Sequence, residues 1–250
     1  MSRVRSVYIQ QDRGTFVAPC GFSLYEGARF LTGSGVQLFQ EHELPNLPLT
    51  RETLVHGWVR TVQAALRQIG VPVPPPIDYP DELRVYLATP VRQETLAAVR
   101  ERWVGDPPLT GVFVKPVEQK LFAGHTVERF SDLAETSAFP GETPVWTAHM
   151  VKFETEYRVF VHEHRIRGIK HYRGDPWRTP DKGFVTQMVR NYSPSAPIAY
   201  GLDVGVTPSG RTCLVEVNDC YSLGNYGFDP IGYYEMVEDR WVEMTTKGGT

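Results

Sequence analysis

Asp203, Glu216 and Asn218 are the side chains in this sequence best placed to do chemistry. They lie in two runs of β-branched and apolar residues, Leu202-Asp203-Val204-Gly205-Val206 and Leu214-Val215-Glu216-Val217-Asn218-Asp219, separated by a turn at Pro208-Ser209-Gly210. That pattern predicts a β-hairpin. Glu216 and Asn218 are two residues apart, so both side chains leave one face of their strand, with Asp203 on the strand beside them. Hard oxygen ligands converging on one face suit magnesium, which takes a few carboxylates and fills its shell with water and phosphate oxygens. The competing reading is a polar sheet face exposed to solvent. It sits poorly with apolar flanks that predict buried strands, because buried carboxylates need a cation or hydrogen bonds.

The cations follow the same logic. Lys115 ends the apolar strand Val112-Phe113-Val114, just before Pro116, where an ammonium can reach a phosphate held between lobes. On position alone, a solvated strand-end lysine is the more ordinary reading. The loop Lys120-Leu121-Phe122-Ala123-Gly124-His125-Thr126 comes next. Gly124 lets backbone N–H groups approach phosphate oxygens, although the loop taken alone reads as a turn. Arg158 and Lys170 sit inside two strands that pair about Glu163 and His164, which brings Arg158 beside Ile169 and Lys170. Two cations on one face repel unless an anion lies between them. A phosphate is one such anion, met by a guanidinium fork and an ammonium point charge. Neutralisation by Glu154 or Glu156, or a register that puts the cations on opposite faces, is the alternative.

The elements that must position these groups are legible in outline. Strands are expected over 4–10 and 36–39, with 14–35 mostly loop. A helix opens at Thr50, runs through Leu54, Val55, Trp58, Val62, Leu66 and Ile69, and stops at Gly70. Residues 71–80 carry five prolines and read as a stiff linker, which divides the chain into lobes 1–80 and 81–250. Helices are expected over 95–103, 186–191 and 232–243, and a strand over 145–151.

At 250 residues the chain suits one elaborated domain or two small lobes with a sizeable core. A net charge of −3 gives no support for a broad nucleic-acid footprint but leaves room for a local basic cleft. Cys20, Cys213 and Cys220 are odd in number and widely spaced, so reduced thiols are expected. The first eleven residues lack a signal-peptide core, and no run approaches the ~20 apolar residues of a membrane span. A soluble cytoplasmic protein with no membrane partner is the expectation.

Taken in order, these pieces resemble the ATP-grasp superfamily. They are the strand-end lysine of Val114-Lys115-Pro116, a small-residue loop, a connecting strand over 145–151, the arginine-bearing strand Glu156-Tyr157-Arg158-Val159-Phe160-Val161, and Val215-Glu216-Val217-Asn218. More narrowly, the pattern is similar to the clade defined by one arginine and two lysines, matched here by Arg158, Lys115 and Lys170. The segment Tyr221-Ser222-Leu223-Gly224-Asn225-Tyr226-Gly227 also resembles that clade. The resemblance spans residues 80–245 and implies an α+β fold. Two α+β lobes would sandwich ATP, preceded by a small α/β N-terminal lobe.

The resemblance also implies roles. Adenine would lie along Thr147, His149, Met150 and Val151, packed by Phe113, Met150 and Leu214. Lys115 would meet the α- and β-phosphates, with Lys120 and Gly124 in the loop above. Arg158 and Lys170 would face the γ-phosphate as catalytic groups, and Asp203, Glu216 and Asn218 would hold Mg2+. The implied activity is an ATP-dependent carboxylate–amine ligase acting through an acylphosphate on small-molecule or peptide substrates. An ATP-binding assembly chaperone or a phosphotransferase is the alternative. The phosphate loop departs from the pattern in having one glycine. The chain is also short, so a partner protein or peptide would help form the acceptor site.

Overall fold

The computed structural model describes residues 3–17, 19–32, 35–105 and 110–246. The chain begins with β1 (Ser6–Asp12), β2 (Thr15–Phe16), α1 (Pro19–Thr32), β3 (Val36–Phe39), β4 (Thr53–His56) and α2 (Val59–Gln68). β1 lies between β3 and β4, parallel to both, and β2 pairs antiparallel with the end of β1. Parallel strands covered on both faces carry no alternating pattern.

That explains two differences from the expected elements. The helix expected from Thr50 begins only at Val59, because Thr53-Leu54-Val55-His56 is a strand buried along its whole length. Its apolar run merges in sequence with that of the helix. Thr50 caps nothing there: its carbonyl accepts from the Thr53 N–H in the turn before β4. Residues 19–32, expected as loop, form α1. Its Gly27 is demanded by packing, since a Cβ there would lie 2.2 Å from the Pro230 carbonyl oxygen. The stop at Gly70 is as expected. Gly70 has φ +70°, and the Val71 N–H closes back on the Leu66 carbonyl.

The second sheet is β5 (Val91–Thr95), β6 (Val112–Pro116), β7 (His125–Val127) and β8 (Pro144–His149), in the antiparallel order β5-β8-β6-β7, with α3 (Leu96–Gly105) packed on it. The third is β9 (Thr155–His162), β10 (Arg165–Gly174), β11 (Ala199–Val206) and β12 (Thr212–Asp219), in the antiparallel order β10-β9-β11-β12. α4 (Lys182–Tyr192) joins β10 to β11 and buries Val185, Met188 and Val189 against Val159, Leu202 and Val204. α5 (Pro230–Thr246) closes the chain, with Asp229 capping its N-terminus and Pro230 in its first turn. α5 shares one apolar cluster with β1, β4, α1 and α2, in which Trp241, Tyr233 and Met236 meet Ile9, Leu54 and Leu24. The first lobe is thus clamped onto the end of the chain.

Among the described residues, no helix is long and apolar enough to cross a membrane. All three cysteines are free thiols and buried.

Candidate active site

A cleft of about 1390 Å³ lies between the second and third sheets, with Cys20, Trp58 and Val59 of the first lobe at its rim. Strand register puts its charges in a row. Lys170 is directly opposite Arg158, Arg158 is opposite Asp203, and Asp203 is opposite Glu216. Directly opposed residues share a face. One line across four strands therefore reads lysine, arginine, aspartate, glutamate. Both hairpins were expected. The β9–β11 pairing, which joins the two hairpins across α4, was not.

The Arg158 guanidinium meets Asp203 side-on, Nε to Oδ1 at 2.8 Å and Nη2 to Oδ2 at 2.6 Å. Nη1 donates to the Gly224 carbonyl at 3.1 Å, and the Tyr226 ring lies 5.0 Å below. Tyr172 stacks on Tyr226 at 5.0 Å and donates its hydroxyl to Glu156. Gly201 makes the Arg158 crossing possible: a Cβ there would stand 3.2 Å from Arg158 Nε. The counter-ion of Arg158 is thus Asp203, neither of the glutamates, Glu154 and Glu156, that the alternative reading offered. Glu156 pairs instead with Arg173, and Glu154 with Arg178. Among the described residues, Lys170 has no carboxylate within ion-pair distance and does not line the cleft. The expected repulsion between Arg158 and Lys170 is relieved from one side by protein.

Lys115 is held from two directions, by Asp78 Oδ1 and Glu216 Oε2, each at 2.7 Å. Asn218 Nδ2 donates to Asp203 Oδ2 at 3.1 Å and to Glu216 Oε1 at 3.0 Å. Burial pushes the Asp203 carboxyl up to about 6, against the pull of Arg158. Burial also pushes at Glu216, but Lys115, Asn218 and Arg158 outweigh it and hold that carboxyl below the ordinary glutamate value. Burial would lower the Lys115 ammonium; Glu216, Tyr79 and Asp78 raise it instead, so it stays charged.

Do these residues fit magnesium? Among the described residues no three His, Cys, Asp or Glu side chains gather as a metal cage. Two carboxylates and one amide do gather, Asp203 and Glu216 opposite each other in register and Asn218 within hydrogen-bond reach of both. That hard-oxygen set fits a magnesium ion that draws the rest of its shell from water and phosphate.

The opposite end of the cleft is apolar, lined by Leu87, Val91, Phe113, Met150, Val151 and Leu214. His149 lines it too. Thr147 does not: its hydroxyl points away and donates to Glu94. Between the two ends, the loop bearing Lys120 folds back over β6, where a Cβ on Gly124 would meet the Phe113 ring at 2.8 Å. Glycine there serves close approach. Lys120 is exposed with φ +60°.

Asp78 was missed at the sequence level. Its signal was present: Ile77-Asp78-Tyr79 interrupts the proline-rich linker with a carboxylate between apolar residues.

Two antiparallel sheets that close on such a cleft, with cations and acids at one end and apolar side chains at the other, define an ATP-grasp fold. The chain belongs to an ATP-grasp domain family, the second family of the clade named for one arginine and two lysines, whose pattern matches residues 86–236. In structure it is similar to D-cycloserine synthetase DcsG, with TM-score 0.62 at 13% identity, covering 95% of this chain and 100% of that one. It is also similar to an ATP-grasp RimK domain protein from Sphaerobacter thermophilus, with TM-score 0.59 at 16% identity, covering 98% and 100%. D-alanine–D-alanine ligase from Bacillus anthracis, complexed with ATP, gives TM-score 0.57 at 15% identity, covering 99% and 98%. No curated protein matches in sequence.

Proposed function

We propose that the protein is an ATP-dependent carboxylate–amine ligase that works through an acylphosphate. The observation that carries this reading is the transverse row Arg158, Asp203 and Glu216, ending beside Lys115, across one end of a cleft whose opposite end carries apolar side chains. A nucleotide would place its base among Phe113, Met150, Val151 and Leu214 and its phosphates toward that row. Lys115 would meet the α- and β-phosphates, and the Lys120–Gly124 loop would cover them. Arg158 would face the γ-phosphate; Lys170, opposite it on β10 but outside the cleft lining, would join it only on a turn of its side chain. Asp203, Glu216 and Asn218 would hold magnesium, which when bound neutralises charge on the β- and γ-oxygens.

The chemistry is then positioning and electrostatics. A substrate carboxylate oxygen attacks the γ-phosphorus, ADP leaves, and an acylphosphate forms. An amine attacks its carbonyl carbon, phosphate departs, the amine loses a proton, and an amide remains. The ATP complex of a D-alanine–D-alanine ligase with this fold supports the nucleotide part of this reading. Small-molecule or peptide acids are the substrate class, and an intracellular setting suits the demand for ATP.

The test is ADP release against a panel of acids with hydroxylamine as the amine. A hydroxamate formed with ATP consumption is the expected result. ADP release with a stable phosphate ester and no hydroxamate would make the protein a phosphotransferase. Tight ATP binding without turnover across the panel would favour a nucleotide-binding assembly role. In the hydroxamate assay, Glu216→Gln is expected to lower turnover about a hundredfold or more while leaving the fold intact. Unchanged turnover would remove Glu216 from the site.

A further inference from the structure

We propose that Asp78 sets the charge of the phosphate end of the cleft so that the site takes nucleotide as its magnesium complex in preference to free nucleotide. The inference rests on the nucleotide-binding part of the function proposed above, not on the identity of the acceptor.

Asp78 bridges two sheets. Its carbonyl accepts from the Val217 N–H at 2.8 Å, which ties the linker to β12 next to Glu216. Its carboxylate faces the other sheet, taking Lys115 Nζ on Oδ1 at 2.7 Å and Trp146 Nε1 on Oδ2 at 3.0 Å. The residue is buried, at 8% exposure, and holds φ +49°, a conformation that non-glycine residues rarely adopt. Tyr79 beside it lies under the Lys115 ammonium and edge-on to Trp146. Backbone strain, burial and two hydrogen bonds all serve to bring one negative charge to Lys115.

That charge matters in two ways. Asp78, Asp203 and Glu216 are three acids joined through ion pairs and Asn218 to two cations, Lys115 and Arg158, a net of −1 for the five groups. Without Asp78 the five become four and neutral. Whatever the other charges at this end of the cleft, the unit of negative charge that Asp78 adds favours a divalent cation and opposes a bare triphosphate. It opposes the magnesium complex less, because that carries less negative charge. The second way is competition. Lys115 holds Glu216, one of the carboxylates that would bind the metal. Asp78 offers the ammonium another anion at the same distance, so Glu216 can turn to the metal without stripping Lys115 of its counter-ion. Both effects act in one direction.

A latch between lobes is the simpler role for Asp78, and it makes a different prediction. Losing a latch weakens both forms of the nucleotide alike. Losing the charge weakens the magnesium complex and leaves free nucleotide unchanged or tighter. The experiment is calorimetric titration of wild type and Asp78→Asn with a non-hydrolysable ATP analogue, once in excess magnesium and once in EDTA, alongside thermal melting. Asp78→Ser is a second neutral variant if the asparagine protein does not fold. The preference for the magnesium form is expected to fall at least about tenfold in the variant, a factor appropriate to one charge-assisted contact. An unchanged preference, with both forms equally weakened or neither affected, overturns the proposal and leaves Asp78 a latch. If wild type itself binds neither form, the nucleotide reading fails and takes this one with it. That failure is visible in the wild-type titration alone.

Discussion

Two buried arginine–aspartate pairs, with their aspartates on the neighbouring strands β11 and β12, have nearly the same geometry, one arginine coming from β9 and the other from α5. Arg158 meets Asp203 at 2.8 and 2.6 Å, and Arg240 meets Asp219 at 2.9 and 2.5 Å, each through Nε and Nη2. Their surroundings differ. The remaining Arg240 nitrogen goes to Glu243 one turn along α5, and Asp219 also accepts the Tyr221 N–H in the turn after β12. These partners dock α5 on the sheet and hold the turn after β12. Around Asp203, Asn218 bridges to Glu216, Glu216 meets Lys115, and Lys170 stands on the far side of Arg158 without a carboxylate of its own among the described residues. The geometry of an ion pair therefore does not tell a structural pair from one proposed to meet a ligand. The groups next to it do: a closed set of partners pins two elements, whereas a set with exchangeable partners leaves room for a ligand.

The strongest way to break this comparison is to neutralise each arginine. Arg158→Met and Arg240→Met each strand a buried aspartate, and removing one partner of such a pair costs about 3–5 kcal/mol. This reverses the expectation from sequence that neutralising Arg158 would relieve a repulsion. Urea unfolding with and without the magnesium complex of an ATP analogue separates the two. Arg240→Met is expected to lose stability but keep the full ligand-induced gain. Arg158→Met should lose both. A ligand-induced gain of wild-type size in Arg158→Met would make the two pairs equivalent and both structural.

The same contrast explains what was legible in the sequence. Both hairpins of the third sheet carried local signals, so Asp203 beside the strand of Glu216 and Asn218, and Arg158 beside Ile169 and Lys170, could be read from the residue pattern, the exact partners not. The β9–β11 pairing joins strands separated by α4, and no local pattern reports such a register. For that reason the partnership of Arg158 with Asp203 was missed, and glutamates near in sequence stood in for it. Asp78 was hidden for a similar reason, since its partners Lys115, Trp146 and Val217 are all distant in sequence. β4 was lost because a fully buried parallel strand has no alternation to distinguish it from the helix that follows. The Tyr172 and Tyr226 stack was half visible, as one aromatic in a strand and one in a motif, with nothing to say that they meet.

His56 offers a third kind of buried polar group, one that is neutral and has no partner, and so sharpens the comparison. It is fully buried at the end of β4, edge-on to Tyr233, and among the described residues neither ring nitrogen has a hydrogen-bond partner. Burial pushes its pKa down to about 4. A base whose folded-state pKa is depressed takes up protons in the unfolded chain first. Its contribution is therefore complete above the ordinary 6.5 and declines as pH falls toward about 4, by about 3 kcal/mol in all. His56→Phe keeps a ring against Tyr233 and removes the titration. The difference in unfolding free energy between wild type and variant, measured from pH 7.5 to 4, should move steadily against wild type below about 6.5. A difference independent of pH would mean that His56 is hydrated or paired in solution.

The smallest expected effect tests how closely Arg158 depends on the strand it crosses. Gly201 lies between Phe160 and Asn218 in register, and its missing side chain is the space through which Arg158 reaches Asp203. A Cβ at this position would meet Leu223 Cδ1 at 2.7 Å and Arg158 Nε at 3.2 Å. The leucine methyl is the end of a flexible side chain and can turn away. The guanidinium is fixed by two bonds to Asp203 and one to Gly224, so it must give by a few tenths of an ångström or break one of them. Overpacking of this kind costs about 1–3 kcal/mol, offset in part by the strand preference of alanine over glycine. The net change in stability of Gly201→Ala should be about 1 kcal/mol. If Arg158 meets the γ-phosphate as proposed, nucleotide affinity should drop several-fold, because the arginine is displaced. The bonds of Arg240 to Asp219 and Glu243 lie away from Gly201, so its contribution should be unaffected. Unchanged affinity together with lost stability would show that Arg158 tolerates displacement, which would place it with Arg240 among the groups that hold the fold.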